Sequence, residues 1–195
     1  MGRRAEVKRT TKETDITVSI DLDGTGKADI STGIGFFDHM LEAVARHGFF
    51  DLTVKAKGDL QVDAHHTIED TGIVLGQAIA QAVGDKKGIR RYGYFVLPMD
   101  ETLVVCAVDL CGRAYYASNI VFSVPMIGEF ETEMMREFFL AVANNAQMNL
   151  HIRKLDGFNN HHLAEASFKA FAKALDMATS VDPRITDVLS TKGTL

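Results

Sequence analysis

Apolar and polar residues alternate from Ile16 to Leu22: Ile16, Val18, Ile20 and Leu22 take one side, and Thr17, Ser19 and Asp21 the other. That period of two predicts a half-buried strand. Asp23-Gly24-Thr25-Gly26 reads as a turn, with Lys27–Ser31 returning as a second strand of a hairpin. From Phe36 to His47 the period changes. Phe37, Met40, Leu41 and Val44 recur at helical spacing, and Gly48 is placed to end the helix. Leu52–Ala56 alternates again as a strand. A long apolar helix is predicted from about Thr67 to Val83, closed by Gly84.

The second half repeats this order. Phe95–Met99, Thr102–Leu110 and Arg113–Phe122 read as strands, Glu131–Asn145 as a helix and Leu150–Lys154 as a strand. A last helix runs to about Thr179. Ala43, Val44, Ala45, Leu52 and Val54 match Ala141, Val142, Ala143, Leu150 and Ile152 at an offset of 98. The pattern predicts an α+β chain of two tandem duplicated halves, 1–93 and 94–195. Each is a mostly antiparallel sheet with helices on one face, and the two pack as one compact domain. The apolar helix faces then need covering by the other half or by a neighbouring subunit.

Composition narrows the function. The chain has 195 residues, 46% hydrophobic and 24% charged, with formal charge −5, as expected of a globular protein with a sizeable core. It shows no basic stripe, which argues against nucleic acid. No run approaches a membrane span, and no signal peptide follows the N-terminus. Two cysteines, Cys106 and Cys111, form no metal-spaced motif and suit a reducing, cytoplasmic setting.

Candidate chemistry lies in one word written twice. Asp63-Ala64-His65-His66-Thr67-Ile68-Glu69-Asp70 is answered, 96 residues on, by Asn159-Asn160-His161-His162-Leu163-Ala164-Glu165-Ala166. Adjacent helical residues point about 100° apart, so His65 and His66 cannot easily grip one ion but can each grip a different one. Glu69 lies within reach of either histidine, and the same holds for His161, His162 and Glu165. At the offset of 98, His39 on the preceding helix falls on Glu137. Mixed imidazole and carboxylate ligands suit Mn²⁺, Fe²⁺ or Zn²⁺. About four ligands per ion leave open positions on an octahedral ion, which favours Mn²⁺. Taken alone, a His-His pair is more often a surface feature, and Glu137 reads equally well as a solvated glutamate. It is the duplication that turns the pair into a ligand set. His47, just before Gly48, and His151, on a strand, match no ligand position and read as structural.

At Gly35-Phe36-Phe37-Asp38-His39-Met40-Leu41, at Asp63–Asp70 and at Asn160–Ala170 the chain resembles the imidazoleglycerol-phosphate dehydratase family, in its monofunctional form. Weaker similarity runs from Arg9–Thr14 to Ser190–Gly193. The resemblance implies dehydration of imidazoleglycerol phosphate to imidazoleacetol phosphate in histidine biosynthesis, through a metal-bound imidazolate. It implies two Mn²⁺ per site and a homo-oligomer of 24 subunits built from trimers. It assigns His39, His65, His66, Glu69, His161, His162 and Glu165 to metal, and Glu13 to substrate contact and acid/base work. Arg91, Arg113 and Lys192, with Thr191 beside it, are assigned to the phosphate. Glu137 departs from it, because many members carry histidine there. On the residues alone, Glu13 is a surface glutamate and each basic residue a solvated cation. Two rivals remain: a two-metal hydrolase using a bridging water, and an assembly in which ions only join subunits through closed ligand shells.

Overall fold

Ile16, Val18 and Ile20 are fully buried along strand β2 (Thr14–Asp21), as their alternation requires. The structure, a computed structural model, describes residues 2–195. In the first half β1 (Arg4–Thr10), β2, β3 (Ala28–Ser31) and β4 (Asp51–Gly58) form one sheet in the order β1-β2-β4-β3. In the second half β5 (Tyr92–Met99), β6 (Thr102–Asp109), β7 (Tyr115–Ser118) and β10 (Asn149–Asp156) form another in the order β5-β6-β10-β7. In each sheet only the last pair is parallel, β3 with β4 and β7 with β10. The helices are α1 (Gly35–Gly48), α2 (His65–Val83), α3 (Met134–Ala146) and α4 (Asn160–Thr179). A short hairpin, β8 (Met126–Ile127) and β9 (Phe130–Glu131), precedes α3. The α+β class of duplicated halves is therefore observed.

Each half's helices cover its own sheet and meet the helices of the other half, α2 against α3 and α1 against α4. The apolar helix faces are thus covered within the chain. The α2–α3 approach is close because α2 carries glycines there. A Cβ on Gly72 would meet the Phe138 carbonyl at 2.7 Å, and one on Gly76 the Val142 carbonyl at 2.7 Å. Phe37 on α1 meets Phe138 on α3 at 5.2 Å across the halves, and the ring contacts continue through Phe139, Phe168 and Phe171, all fully buried, with Phe139–Phe168 at 4.7 Å.

Several local expectations are corrected. Lys27–Ser31 does not return as a hairpin partner of β2; β3 crosses over to pair in parallel with β4. The turn is held by Asp51, whose Oδ1 accepts from the Thr25 and Lys27 amides at 2.8 and 3.0 Å. Gly48 does not cap α1. It is the last helical residue, and Phe49 takes the left-handed position at φ 58°. Gly48 is small because the Phe50 ring lies 2.3 Å from where its Cβ would be. The second half repeats this end. Gln147 is left-handed at φ 53°, and the Met148 amide reaches the Ala143 carbonyl as the Phe50 amide reaches Ala45. The strand expected over Arg113–Phe122 is confined to Tyr115–Ser118, because the Asn119 side chain takes both the amide and the carbonyl of Lys154. Helix α3 starts at Met134 rather than Glu131, since Phe130–Glu131 pair in the small hairpin.

Candidate metal centre and active site

The second His-His word opens α4. Asn159 caps the helix, its Oδ1 accepting from the His162 amide at 3.2 Å. One turn separates His161 from Glu165, and the two meet, Nε2 to Oε2, at 2.9 Å. Helix α1 runs alongside in the same direction and brings His39 Nε2 to 3.8 Å from the same oxygen. His39, His161 and Glu165 each offer a ligand atom within 4.8 Å of the others. Two imidazoles and a carboxylate suit a borderline divalent cation, so the residues present fit a metal ion. Burial pushes the Glu165 carboxyl up, but Lys169, paired at 2.5 Å, and His161 outweigh it and hold it below its ordinary value. It is a carboxylate at neutral pH.

The first word opens α2 in the same way, with His65 Nε2 3.4 Å from Glu69 Oε2. Within each word the two rings diverge. His65 and His66 lie 6.3 Å apart at 66°, and His161 and His162 lie 6.2 Å apart at 90°. His66 turns its Nδ1 to Asp59 at 3.1 Å, with Glu13 at 4.0 Å. His162 turns its Nδ1 to Glu101 at 2.8 Å. These partners raise the His66 pKa, chiefly through the Asp59 hydrogen bond, and pull the Glu101 carboxyl down to about 2. Glu137 occupies on α3 the place of His39 on α1, but it does not gather with His65 and Glu69. It pairs with Arg136 at 2.6 Å and lines a cavity of about 540 Å³ with Tyr116 and Phe122. Among the described residues, neither His47 nor His151 joins the ligand group of His39, His161 and Glu165. Burial and then Lys169 and Lys173 push the His47 pKa down, and His151 packs on Tyr115.

Arg91, Arg113, Thr191 and Lys192 converge. They line one cavity of about 750 Å³, with Tyr92 and the chain end Leu195. The tail reaches it through isolated pairings of Lys87 with Val188 and Ile89 with Val181. Arg91 already has partners: Asp109 takes its Nε and Nη2 at 2.7 and 3.1 Å, and the Leu189 carbonyl its Nη1 at 2.7 Å. This basic cavity lies at the Tyr92 end of β5, whereas Glu101 and His162 lie just past the Met99 end. Eight strand residues at about 3.3 Å each put them roughly 25 Å apart. Asp59, Glu101, Asp109 and Lys169 were not picked out by sequence reasoning, because none belongs to a spaced motif. Only Lys169 carried a signal, as a lysine four residues after Glu165.

A family model described as imidazoleglycerol-phosphate dehydratase matches residues 32–175. The imidazoleglycerol-phosphate dehydratase of Lachnoclostridium phytofermentans is 63% identical over 195 residues, all of both chains, and that of Acetivibrio thermocellus is 60% identical over the same span. Among solved structures, the Staphylococcus aureus enzyme superposes with a TM-score of 0.83 at 40% identity, over 92% of this chain and 99% of that one. The Pyrococcus furiosus enzyme, solved in complex with (S)-C348, gives 0.84 at 36% identity over 97% and 100%. The chain belongs to the imidazoleglycerol-phosphate dehydratase family.

Proposed function

We propose that this protein dehydrates imidazoleglycerol phosphate to imidazoleacetol phosphate, a step of histidine biosynthesis, at a site holding two Mn²⁺. The observation that carries this reading is the convergence of His39, His161 and Glu165, echoed by His65 and Glu69 on the duplicated helix. His66, His162 and Glu137 would complete the two ligand sets. When bound, the ions supply Lewis-acid positions for the substrate's ring nitrogens and stabilise negative charge in the ring. The chain's own residues do the rest. Substrate and product differ by a hydroxyl lost beside the ring and a proton lost from the next carbon, giving an enol that becomes the ketone. Glu13 is the group to move that proton. It sits on a hairpin turn over His66, half-exposed, and its carboxylate accepts no hydrogen bond among the described residues. Arg91, Arg113, Thr191 and Lys192 hold the phosphate and so fix the reacting carbon in place.

A substrate this small cannot span roughly 25 Å. The phosphate cavity of one copy must therefore serve the histidines of another. That supports a homo-oligomer, which we take to be the 24-subunit assembly of trimers. Among the described residues no helix is long and apolar enough to cross a membrane. Both cysteines are buried free thiols, in keeping with a cytoplasmic setting. The test is incubation with imidazoleglycerol phosphate and Mn²⁺. Formation of the ketone without phosphate supports dehydration; release of inorganic phosphate would favour the hydrolase.

A further inference from the structure

The two halves use the same hairpin turn in different ways. Strands β2 and β6 match at an offset of 88, and β4 and β10 at 98: Val18 pairs with Val54 where Cys106 pairs with Ile152. Thr14 and Thr102, both buried, open the matched strands. The residue before each is a glutamate, Glu13 in one half and Glu101 in the other. Both hairpin turns overhang the second histidine of their own word. Glu101 Oε2 meets His162 Nδ1 at 2.8 Å, whereas Glu13 Oε2 stays 4.0 Å from His66 Nδ1.

What differs is the loop after the matched strand. A bulge in β10 between Lys154 and Asp156 shifts the register by one, so Gly157 comes to Thr102 as Gly58 does to Thr14, and Asp59 corresponds to Phe158. Asp59 places both carboxylate oxygens 3.1 and 3.2 Å from His66 Nδ1. Phe158 has no carboxylate to offer. Gly157 before it sits at φ 118°, and a Cβ there would be 2.5 Å from Thr102 Oγ1. The carboxylate that reaches His162 is therefore the hairpin's own. Glu101 is further tied by the Thr102 hydroxyl at 2.8 Å and the Asn159 amide at 3.0 Å, both on Oε1. Both of its carboxylate oxygens are thus engaged.

A carboxylate on Nδ1 selects the tautomer with its proton there and leaves the Nε2 lone pair bare. The exposed Asp100 lies 3.8 Å from His162 Nε2, too far for a hydrogen bond. Resting on the two-metal reading above, we propose that Asp59 and Glu101 are positioning residues that hold His66 and His162 by Nδ1, aiming each Nε2 at a cation. By taking this duty in the first half, Asp59 leaves its neighbour Glu13 unengaged. One duplicated glutamate became a fixed support, and the other stayed free to move protons.

The test titrates Mn²⁺ into metal-free wild type, Glu101→Ala, Glu101→Gln, Asp59→Ala and Asp59→Asn. The alanine variants should bind Mn²⁺ ten- to a hundredfold more weakly. The amide variants, which still offer an oxygen to Nδ1–H, should recover most of that loss. At saturating Mn²⁺, Asp59→Ala should keep a larger turnover deficit than Glu101→Ala, because His66 can then capture Glu13. Wild-type Mn²⁺ affinity in folded alanine variants would overturn the proposal, and equal turnover deficits would overturn the role given to Asp59. A structure of the wild-type protein with Mn²⁺ needs no variant: ions on Nε2 of His66 and His162 are expected, and an ion on either Nδ1 refutes the proposal. Wild-type protein that takes up no Mn²⁺ would instead sink the two-metal reading beneath it.

Discussion

Asp70 closes the first His-His word, and the second word has Ala166 in its place. Its carboxylate accepts from Arg9 at the end of β1 and, at 2.5 Å, from the Thr14 hydroxyl at the start of β2. It therefore clamps both feet of the hairpin that carries Glu13. The Asp70 side chain is 11% exposed and that of Arg9 34%. Removing one partner of a buried ion pair costs about 3–5 kcal/mol. Water can reach the Arg9 guanidinium, so the lower end applies. The Thr14 hydroxyl, 3% exposed, keeps Thr11 Oγ1 as a partner at 3.2 Å, so it adds little to that cost. Asp70→Ala should lose about 3 kcal/mol. Asp70→Asn, which keeps an acceptor for Thr14 but no charge for Arg9, should lose about half as much, within the range for one charge-assisted hydrogen bond. Urea unfolding at constant pH measures both. Because a displacement of about 1 Å can cost on the order of 100-fold in rate, Asp70→Ala should also lose turnover with its Mn²⁺ content intact. A wild-type urea midpoint, or a destabilised variant with unchanged turnover, would refute the clamp.

Four other outcomes are expected. Glu13→Gln should lower turnover by about 10²–10⁴-fold, the usual range for a positioned acid or base, while metal analysis finds Mn²⁺ unchanged; retained turnover removes Glu13 from the chemistry. Glu137→Ala should lower Mn²⁺ occupancy, and full occupancy would leave Glu137 only its ion pair with Arg136. Gly76→Ala should lower the melting temperature, although alanine favours helix. Its Cβ would meet the Val142 carbonyl at 2.7 Å and the Ala146 amide at 3.0 Å, and such overpacking costs about 1–3 kcal/mol. Arg184 holds the Asp182 carboxyl well below its ordinary value of 3.8. Its contribution is therefore complete above that value and is lost as pH falls beneath it. Wild type should lose urea resistance on acidification from pH 5 to 3, and Asp182→Asn should lose less over that interval.

The pairings within the His-His words were legible because helix geometry alone brings His161 to Glu165 and His65 to Glu69. His39 joins them only through the packing of α1 on α4, which the internal alignment could suggest but no spacing rule could derive. Asp59 and Glu101 lie on loops outside any repeat word, and their role depends on which way a histidine ring turns. Strand β1 escaped notice because Ala5 and Val7 are its only apolar residues and it lies at a sheet edge. The parallel seat of β3 was hidden by a turn whose residues look like those of a hairpin. The basic residues lining the cavity at Arg91 and Lys192 were separated by a hundred positions, and nothing local revealed that Asp109 already engages Arg91.

The central claim is that two similar words together furnish two cation sites. It is tested most directly by counting Mn²⁺ taken up per chain by metal-free protein, in wild type and in a variant with His65, His66, His161 and His162 all replaced by glutamine. The account predicts two ions per chain in wild type and none in the variant. An uptake of zero in wild type, or an uptake that survives the four substitutions, would contradict it.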